Sequence, residues 1–213
     1  LEITSKSYLS LSDLADLGTV MGNVYHTKEE MIDCVNAFYE GMVQRSEEMK
    51  RHPNYKTGEN YAYLGLPPCF LIFDEYVAFF EMLGTIESVS LLSQLMKIVM
   101  LGRQAGYFLI VACQRPDAKY FSDGIRDNFN FRVGLGRISE LGYGMLFGSD
   151  VKKQFFQKRI KGRGYCDVGT SVISEFYTPL VPKGHDFLQT IGSLAQARQD
   201  GTATCEAKGD GTD

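Results

Sequence analysis

The feature that most limits how this chain can fold is an apolar run, CFLIF, that ends in two adjacent acids, Asp74 and Glu75. A second continuous apolar run, FLIVACQ, covers residues 108–114. Continuous rather than alternating apolar residues are typical of strands that are buried on both faces, as in parallel sheets covered by helices. A predicted helix lies between the two runs, so the order of elements predicts an α/β fold with right-handed crossovers.

Two long helices are predicted, one on each side of the first apolar run. Thr27 and Glu30 have capping-box spacing, and apolar residues then recur at helical intervals over about 25 residues until Pro53. A short helix is expected over residues 76–82. The second long helix is predicted over residues 85–103, with one apolar face formed by Ile86, Val89, Leu92, Leu95, Met96 and Val99.

The second half of the chain predicts a further strand, a hairpin and a tail. FRVGL, residues 131–135, is expected to continue the doubly wound sheet. GRGYCDV and SVISEFY flank Gly169 and Thr170, which predicts a hairpin at the sheet edge. Apolar residues become sparse from about Ser193. We therefore expect one domain over residues 1–192 and a disordered tail over residues 193–213.

Composition excludes several classes of protein. With 44% hydrophobic and 23% charged residues the chain has ordinary globular composition. Its apolar runs are shorter than the roughly 18 residues that a membrane span needs. The five cysteines are scattered and never in CxxC spacing, so neither a zinc site nor a disulfide framework is indicated. We expect a soluble domain in the reducing cytosol.

Charge is unevenly distributed along the chain, whose net charge is −4. Residues 151–165 contain no acid and six basic residues: Lys152, Lys153, Lys158, Arg159, Lys161 and Arg163. A cluster of this kind can attract phosphate even when the whole chain is acidic. A solvated helix face has the same composition, and the sequence leaves both interpretations open.

The acids after the first strand suggest phosphate chemistry. In open parallel sheets, ligands bind beyond the carboxyl ends of the strands, where Asp74, Glu75 and Gln114 would lie together. In phosphoryl transfer to water, one acid can hold the Mg²⁺ shell while another orients or deprotonates the attacking water. The alternatives are an acid pair that caps the following helix and an amide that satisfies backbone groups.

Four segments in combination resemble the motor domain of the FtsK/SpoIIIE family of ring-forming ATPases: FLIFDE, GRQAGYFLIVACQRP, IRDNFNFRVGL and GRGY. The resemblance covers roughly residues 13–178 and is strongest over residues 70–136. DLADL and the long helix after it look most like versions from integrative conjugative elements. The resemblance implies a RecA-like P-loop NTPase core, with a mostly parallel sheet, helices on both faces and a C-terminal edge hairpin.

The resemblance also implies roles for individual residues. Asp74 corresponds to the Walker B acid, which holds Mg²⁺ through water, and Glu75 to the residue that activates the attacking water. Gln114 lies in Cys-Gln-Arg-Pro, where the family usually has Thr-Gln-Arg-Pro, and corresponds to the sensor of the γ-phosphate. The implied cofactors are ATP and Mg²⁺.

Arg132 matches the arginine that the family offers to a neighbouring subunit as a finger, which stabilises the transition state in trans. A strand-end salt bridge is the alternative role for this residue. Three other arginines are further candidates for the finger: Arg103, Arg115 and Arg126.

Two departures from the family pattern affect these expectations. No GxxxxGK[ST] motif occurs, and no glycine is followed by lysine. In the family the P-loop precedes the segment that SYLSLSDLADL resembles, so we expect it upstream of Leu1 and expect the chain alone to be inactive. The tip of the hairpin also lacks Lys and Arg, so DNA contacts would fall to the amides and hydroxyls of Gly169, Thr170 and Ser171, with the basic run supplying charge.

The sequence therefore supports two hypotheses about function. The first is an ATP-dependent DNA translocase module of a cytoplasmic hexameric ring that acts in conjugative transfer. Its expected partners are DNA, further copies of itself and a relaxase or other transfer protein, with a separate N-terminal region attaching the intact protein to the membrane. The second is a non-hydrolysing, protein-binding ATPase-like domain, as in type VII secretion.

Overall fold

The computed structural model describes residues 2–4, 23–114, 119–120, 123–148, 151, 160–170 and 172–199. The first half of the chain contains β1 (Glu2–Thr4), β2 (Val24–Tyr25), α1 (Lys28–Arg51), a 3-10 helix (Tyr61–Leu64), β3 (Cys69–Phe73), α2 (Tyr76–Glu81) and α3 (Thr85–Ala105). The second half contains β4 (Tyr107–Val111), α4 (Asp123–Arg126), β5 (Arg132–Leu135), α5 (Glu140–Phe147), β6 (Arg163–Asp167), β7 (Ile173–Tyr177) and α6 (Phe187–Gln199).

The first sheet is parallel and has the strand order β2-β1-β3-β4 within the described residues. β3 and β4 pair in register from Cys69 opposite Tyr107 to Phe73 opposite Val111. The two strands therefore end side by side. This confirms the predicted α/β class and brings the residues that follow β3 next to those that follow β4.

Helix α1 forms as its sequence predicts. Thr27 accepts a hydrogen bond from the backbone N–H of Glu30, and the Glu30 carboxylate accepts one from the backbone N–H of Thr27. The predicted apolar face is buried: Met31, Cys34, Val35, Phe38, Met42 and Met49. Together with α3 and with Leu71 and Phe73 of β3, this face forms the main hydrophobic core.

The predicted apolar face of α3 is confirmed at Leu95, which is buried, and at Leu92, which packs against the core, but it is wrong near the start of the helix. Ile86 is 88% exposed and Val89 is 64% exposed. The buried residues are Leu91, Leu95, Ile98, Gly102 and Ala105. A Cβ atom at Gly102 would collide with the backbone oxygen of Tyr107, so this glycine allows the end of α3 to lie close to the start of β4.

Strand β5 does not continue the parallel sheet in the described part of the chain. It pairs antiparallel with β6, and β6 pairs antiparallel with β7, in a second sheet of order β5-β6-β7. The apolar run FRVGL identified a strand but contains no information about its partner. The hairpin of β6 and β7 is confirmed, and α5 packs against it through Tyr143 and Tyr165, whose ring centroids are 5.7 Å apart.

Two further features concern the ends of the domain and its surface. Helix α6 runs through Gln199, so the boundary predicted at residues 192 and 193 falls inside a helix. The rest of the predicted tail lies outside the described residues. Among the described helices, α3 alone has the length and apolar composition of a membrane span, with a mean hydropathy of 1.2. Core helices of globular proteins meet the same criterion, so this is weak evidence for a span.

Candidate functional site

The carboxyl ends of β3 and β4 are joined by the backbone of one residue, Ala112. The N–H of Ala112 donates to the carbonyl of Phe73 at 2.8 Å, and its carbonyl accepts from the N–H of Tyr76 at 3.1 Å. These two bonds lie on either side of Asp74 and Glu75. The backbone therefore fixes both acids relative to the segment that leads from Ala112 to Gln114.

Glu75 adopts a strained backbone conformation at this junction. With φ 53° and ψ 43°, it is the only non-glycine residue with a positive φ in the described ranges. Such a conformation costs about 1–3 kcal/mol and is typical of functional sites. Glu75 is the N-cap residue of α2, yet its side chain makes no capping hydrogen bond. The helix-capping alternative therefore does not describe this residue.

The side chains of Glu75 and Gln114 are in contact. The Gln114 amide donates from Nε2 to Oε1 of Glu75 at 3.1 Å. Glu75 and Asp74 are half-buried, whereas Gln114 is exposed. The structure thus brings together the three residues that the sequence placed at this edge. Their catalytic and sensing roles stay predictions.

The negative charge of Glu75 affects the pKa of a neighbouring thiol. Burial, and after it the negative charge of Glu75, raises the pKa of Cys113 from 9.0 to about 11. Cys113 is therefore a neutral thiol near pH 7. Because the charge of Glu75 contributes to this shift, the pKa of Cys113 is a measure of the carboxylate at the centre of the site.

A buried aromatic cluster supports the acids, and sequence reasoning gave it no role. Phe73 and Tyr76 contact each other with centroids 5.5 Å apart, and the Tyr76 hydroxyl donates to the carbonyl of Tyr120 at 3.3 Å. Burial raises the pKa of Tyr76, so the hydroxyl remains neutral. Phe79 and Phe80 complete the cluster. The sequence feature that could have predicted this cluster is the aromatic segment YVAFF, which directly follows the two acids.

The acids fit a nucleotide-bound Mg²⁺ better than a metal site built from protein alone. Within the described ranges, no group of three or more His, Cys, Asp and Glu side chains could hold a metal ion. Mg²⁺ at nucleotide sites typically keeps several waters and takes one or two carboxylates together with the phosphates. A half-buried Asp74 beside Glu75 matches that donor set.

Arg132 lies at the start of β5, in the second sheet. Its Nη2 donates to Oδ2 of Asp167 at 2.5 Å, and its Nη1 donates to the carbonyl of Leu146 at 3.3 Å. This is the strand-end salt bridge that the sequence left open, and Asp167 was not identified from the sequence. The finger role needs a neighbouring subunit and stays a prediction.

The other arginines considered for the finger lie in different places. Arg103 is exposed in the last turn of α3. Arg126 is half-buried and pairs with Asp127 at 3.2 Å. Arg115 lies outside the described residues.

The predicted DNA-contacting residues are described only in part. Gly169 and Thr170 are exposed at the hairpin tip. Lys161 and Arg163 are exposed at its base, where the Arg163 guanidinium lies 4.8 Å from the centroid of the Tyr177 ring. The remaining residues of this group fall outside the described ranges: Lys152, Lys153, Lys158, Arg159 and Ser171. The described basic residues therefore do not supply charge at the tip itself.

The α/β fold of this chain is that of RecA-like ATPase domains. Two solved structures share this fold. The pCW3 conjugation coupling protein TcpA, solved as a monomer with ATPγS, matches with a TM-score of 0.65 and 16% identity, over 91% of this chain and 56% of that chain. EssC (ATPases 2 and 3) from Geobacillus thermodenitrificans matches with a TM-score of 0.61 and 15% identity, over 94% of this chain and 37% of that chain.

A sequence relative connects the chain with a particular family. The chain is 52% identical over 203 residues to the FtsK domain-containing protein YdcQ of Bacillus subtilis strain 168, a match that covers 95% of this chain. The chain spans 42% of the length of that relative. No protein-family model matches the chain. The resemblance to the FtsK/SpoIIIE motor domain is thereby confirmed.

Proposed function

We propose that this chain is the part of an ATP-driven DNA translocase motor that carries the Walker B acids and the γ-phosphate sensor. The observation that supports the proposal most directly is the hydrogen bond between Gln114 and Glu75, at the shared end of two parallel strands. A purely structural copy of the fold has no physical need for a strained acid in contact with an exposed amide. A carboxylate and an amide at one edge of the sheet fit the hydrolysis of a phosphoanhydride.

Each residue has a distinct role in this proposal. Asp74 holds the water shell of Mg²⁺, and Glu75 orients the attacking water and accepts its proton. Gln114 donates its amide either to Glu75 or to the terminal phosphate. Bound MgATP would supply the transferred phosphoryl group and neutralise its developing charge.

Residues 1–213 contain no GxxxxGK[ST] motif. In this proposal the P-loop that cradles the phosphates is therefore supplied by the rest of the intact protein. Without its backbone N–H groups and lysine, the β- and γ-phosphates lose most of their contacts. The isolated chain is therefore expected to show no ATPase activity, and hydrolysis is assigned to a protein that also contains a P-loop.

The substrate in this proposal is DNA moved during conjugative transfer, in a hexameric ring of the intact protein. Similarity to a conjugation coupling protein supports this choice over other translocases. Arg132 would act across the subunit interface, and a relaxase or other transfer protein would deliver the DNA. The ring is placed in the cytoplasm, with membrane attachment through a separate N-terminal region.

The test of this proposal is Glu75→Gln in a protein that joins this chain to its P-loop segment. Turnover should fall about 100-fold or more while ATP binding is retained, because general-base contributions are of that order. The matched control is Glu47→Gln, which removes an exposed acid of α1. Unchanged turnover in Glu75→Gln would rule out the assigned role.

A protein-binding domain is the second candidate function. It is supported by similarity to EccC of Thermomonospora curvata, solved with a signal sequence peptide, at a TM-score of 0.58 and 16% identity over 93% of this chain and 36% of that chain. Binding measurements separate the two functions. Saturable binding of such a peptide to this chain, without binding of duplex DNA by the P-loop-containing protein, would favour the second.

A further inference from the structure

One carboxylate joins two segments of the second sheet. Asp167 is the last residue of β6 and is 4% exposed. Its Oδ2 accepts from Nη2 of Arg132 at 2.5 Å, and its Oδ1 accepts from the backbone N–H of Gly169 at 2.9 Å. The start of β5 and the loop of the hairpin are therefore held by the same side chain.

The hairpin loop has little freedom at Gly169. This residue has φ +80°, a conformation that favours glycine. A Cβ atom here would lie 3.2 Å from the backbone oxygen of Asn130, which is two residues before Arg132. The loop thus packs against the segment that enters β5, so a displacement of one backbone segment would displace the other.

Arg132 is incompletely satisfied in its present position. Its Nη1 donates to the carbonyl of Leu146, at the end of α5. Its Nε is buried and has no acceptor within the part of the chain that the structure describes. A buried donor without an acceptor is unfavourable, so the ion pair with Asp167 is the principal interaction that holds the guanidinium here.

We propose that Asp167 is a positioning residue that couples Arg132 to the hairpin loop. Withdrawal of Arg132 leaves the carboxylate buried and unpaired, which is costly, so the end of β6 must move towards water and release the amide of Gly169. By reciprocity, a loop held in place by a ligand stabilises the pair of Arg132 and Asp167. The inference rests on the proposed function only for what the two ends contact: nucleotide phosphates at Arg132 and DNA phosphates at the loop.

The coupling can be measured in this chain without nucleotide or DNA. Amide hydrogen exchange of Gly169 is followed by NMR in Arg132→Lys and in Asp167→Asn. Lysine presents one ammonium and cannot reproduce the planar fork that bonds Asp167 and Leu146 together. Exchange at Gly169 should accelerate at least about fivefold, the effect of losing one ordinary hydrogen bond. Arg51→Lys, in an exposed ion pair of α1, is the matched control and should have no effect at Gly169.

The outcomes are distinct. Accelerated exchange at Gly169 with unchanged exchange in β3 and in the middle of β6 supports the coupling. Unchanged exchange at Gly169 in both variants overturns it. If all amides of the second sheet accelerate together in both variants, the pair stabilises the sheet as a whole, and the coupling is likewise overturned.

A second measurement concerns the intact, P-loop-containing protein. There, Asp167→Asn should lower the ratio of DNA-stimulated to basal ATP turnover towards one. A ratio equal to that of the wild type would contradict the coupling in the assembled protein. A wild-type protein without ATPase activity would contradict the proposed function, whereas the exchange measurement on this chain would still decide the coupling.

Discussion

The Gln114 amide and the Glu75 carboxylate are bonded at 3.1 Å across the ends of two adjacent parallel strands, and one of the two residues has a backbone conformation that only glycine adopts without cost. An acid that served only stability would not be selected at a position with φ 53°. The contact and the strain together support the proposal that Glu75 serves the site rather than the stability of the fold.

The strained backbone of Glu75 predicts that removing its side chain increases stability and abolishes activity. Glu75→Gly should raise the free energy of unfolding of the chain by about 0.5–1 kcal/mol, because glycine adopts this backbone conformation freely. The same change in the P-loop-containing protein should abolish hydrolysis. Denaturant unfolding followed by circular dichroism measures the first effect. As a control, Glu47→Gly in the exposed interior of α1 should lower stability by about 1 kcal/mol; a loss of stability in Glu75→Gly would contradict the assignment of strain.

The thiol of Cys113 provides a test of the electrostatics of the site. Because its pKa is about 11 in the folded chain, alkylation resolved by peptide mass spectrometry should be slow at pH 8 and increase towards pH 11. Glu75→Gln removes a negative charge and should lower the pKa of Cys113, although burial, the larger cause, should keep it above 9.0. An unchanged alkylation profile in Glu75→Gln would contradict the contact between the two groups.

The same pKa shift predicts how stability depends on pH. The folded chain retains the proton of Cys113 to higher pH than the unfolded chain does, so folding binds a proton between the two pKa values. The contribution of Cys113 to stability is therefore fully present below pH 9.0 and decreases as the pH rises towards about 11. Cys113→Ser, whose hydroxyl does not titrate in this range, should show a smaller decrease in denaturant midpoint between pH 8 and pH 10.

Close packing of α3 on β4 predicts a large effect at one glycine. Gly102→Ala should destabilise the chain by about 2 kcal/mol or more, because the new methyl group would collide with the backbone oxygen of Tyr107 and must displace either the helix or the strand. The matched control is Gly144→Ala in α5, where a Cβ atom would meet no other atom within 4 Å. That substitution should stabilise by about 0.5–1 kcal/mol. Similar effects at the two positions would contradict the packing argument.

Local signals in the sequence predicted more than non-local ones. The capping box of Thr27 and Glu30 and the apolar spacing after it predicted α1, because all of its determinants lie within the helix. The apolar runs predicted β3 and β4, and the parallel-sheet rule then predicted that Glu75 and Gln114 would lie near each other. Their proximity follows from the pairing of β3 with β4, whereas the hydrogen bond itself depends on the two side chains.

The rest depended on contacts between distant residues. Leu91, Leu95 and Ile98 of α3 are buried in the core that they form with α1 and β3, and the spacing within α3 does not specify those partners. The direction of β5 and the ion pair of Arg132 with Asp167 depend on the register between β5 and β6, where these two residues are directly opposite. No pattern within either strand specifies that register, so the sequence left the salt bridge as an alternative without naming its partner.

The proposed finger role of Arg132 leads to a prediction that separates catalysis from folding. In the P-loop-containing protein, Arg132→Ala should lower ATP turnover by about 1,000-fold or more with nearly unchanged nucleotide binding, as removal of a trans arginine does. The same change leaves Asp167 buried without its partner and should destabilise the chain by about 3 kcal/mol. Arg51→Ala, in an exposed ion pair of α1, is the control for loss of an arginine. Mixing Arg132→Ala subunits with Glu75→Gln subunits distinguishes the two effects. Sites formed by an intact Glu75 and an intact neighbouring Arg132 should hydrolyse ATP in the mixed ring, whereas rings of either variant alone should not. A large loss of nucleotide binding in Arg132→Ala, or no recovery on mixing, would remove the finger assignment and leave Arg132 with the structural role that its bond to Asp167 already defines.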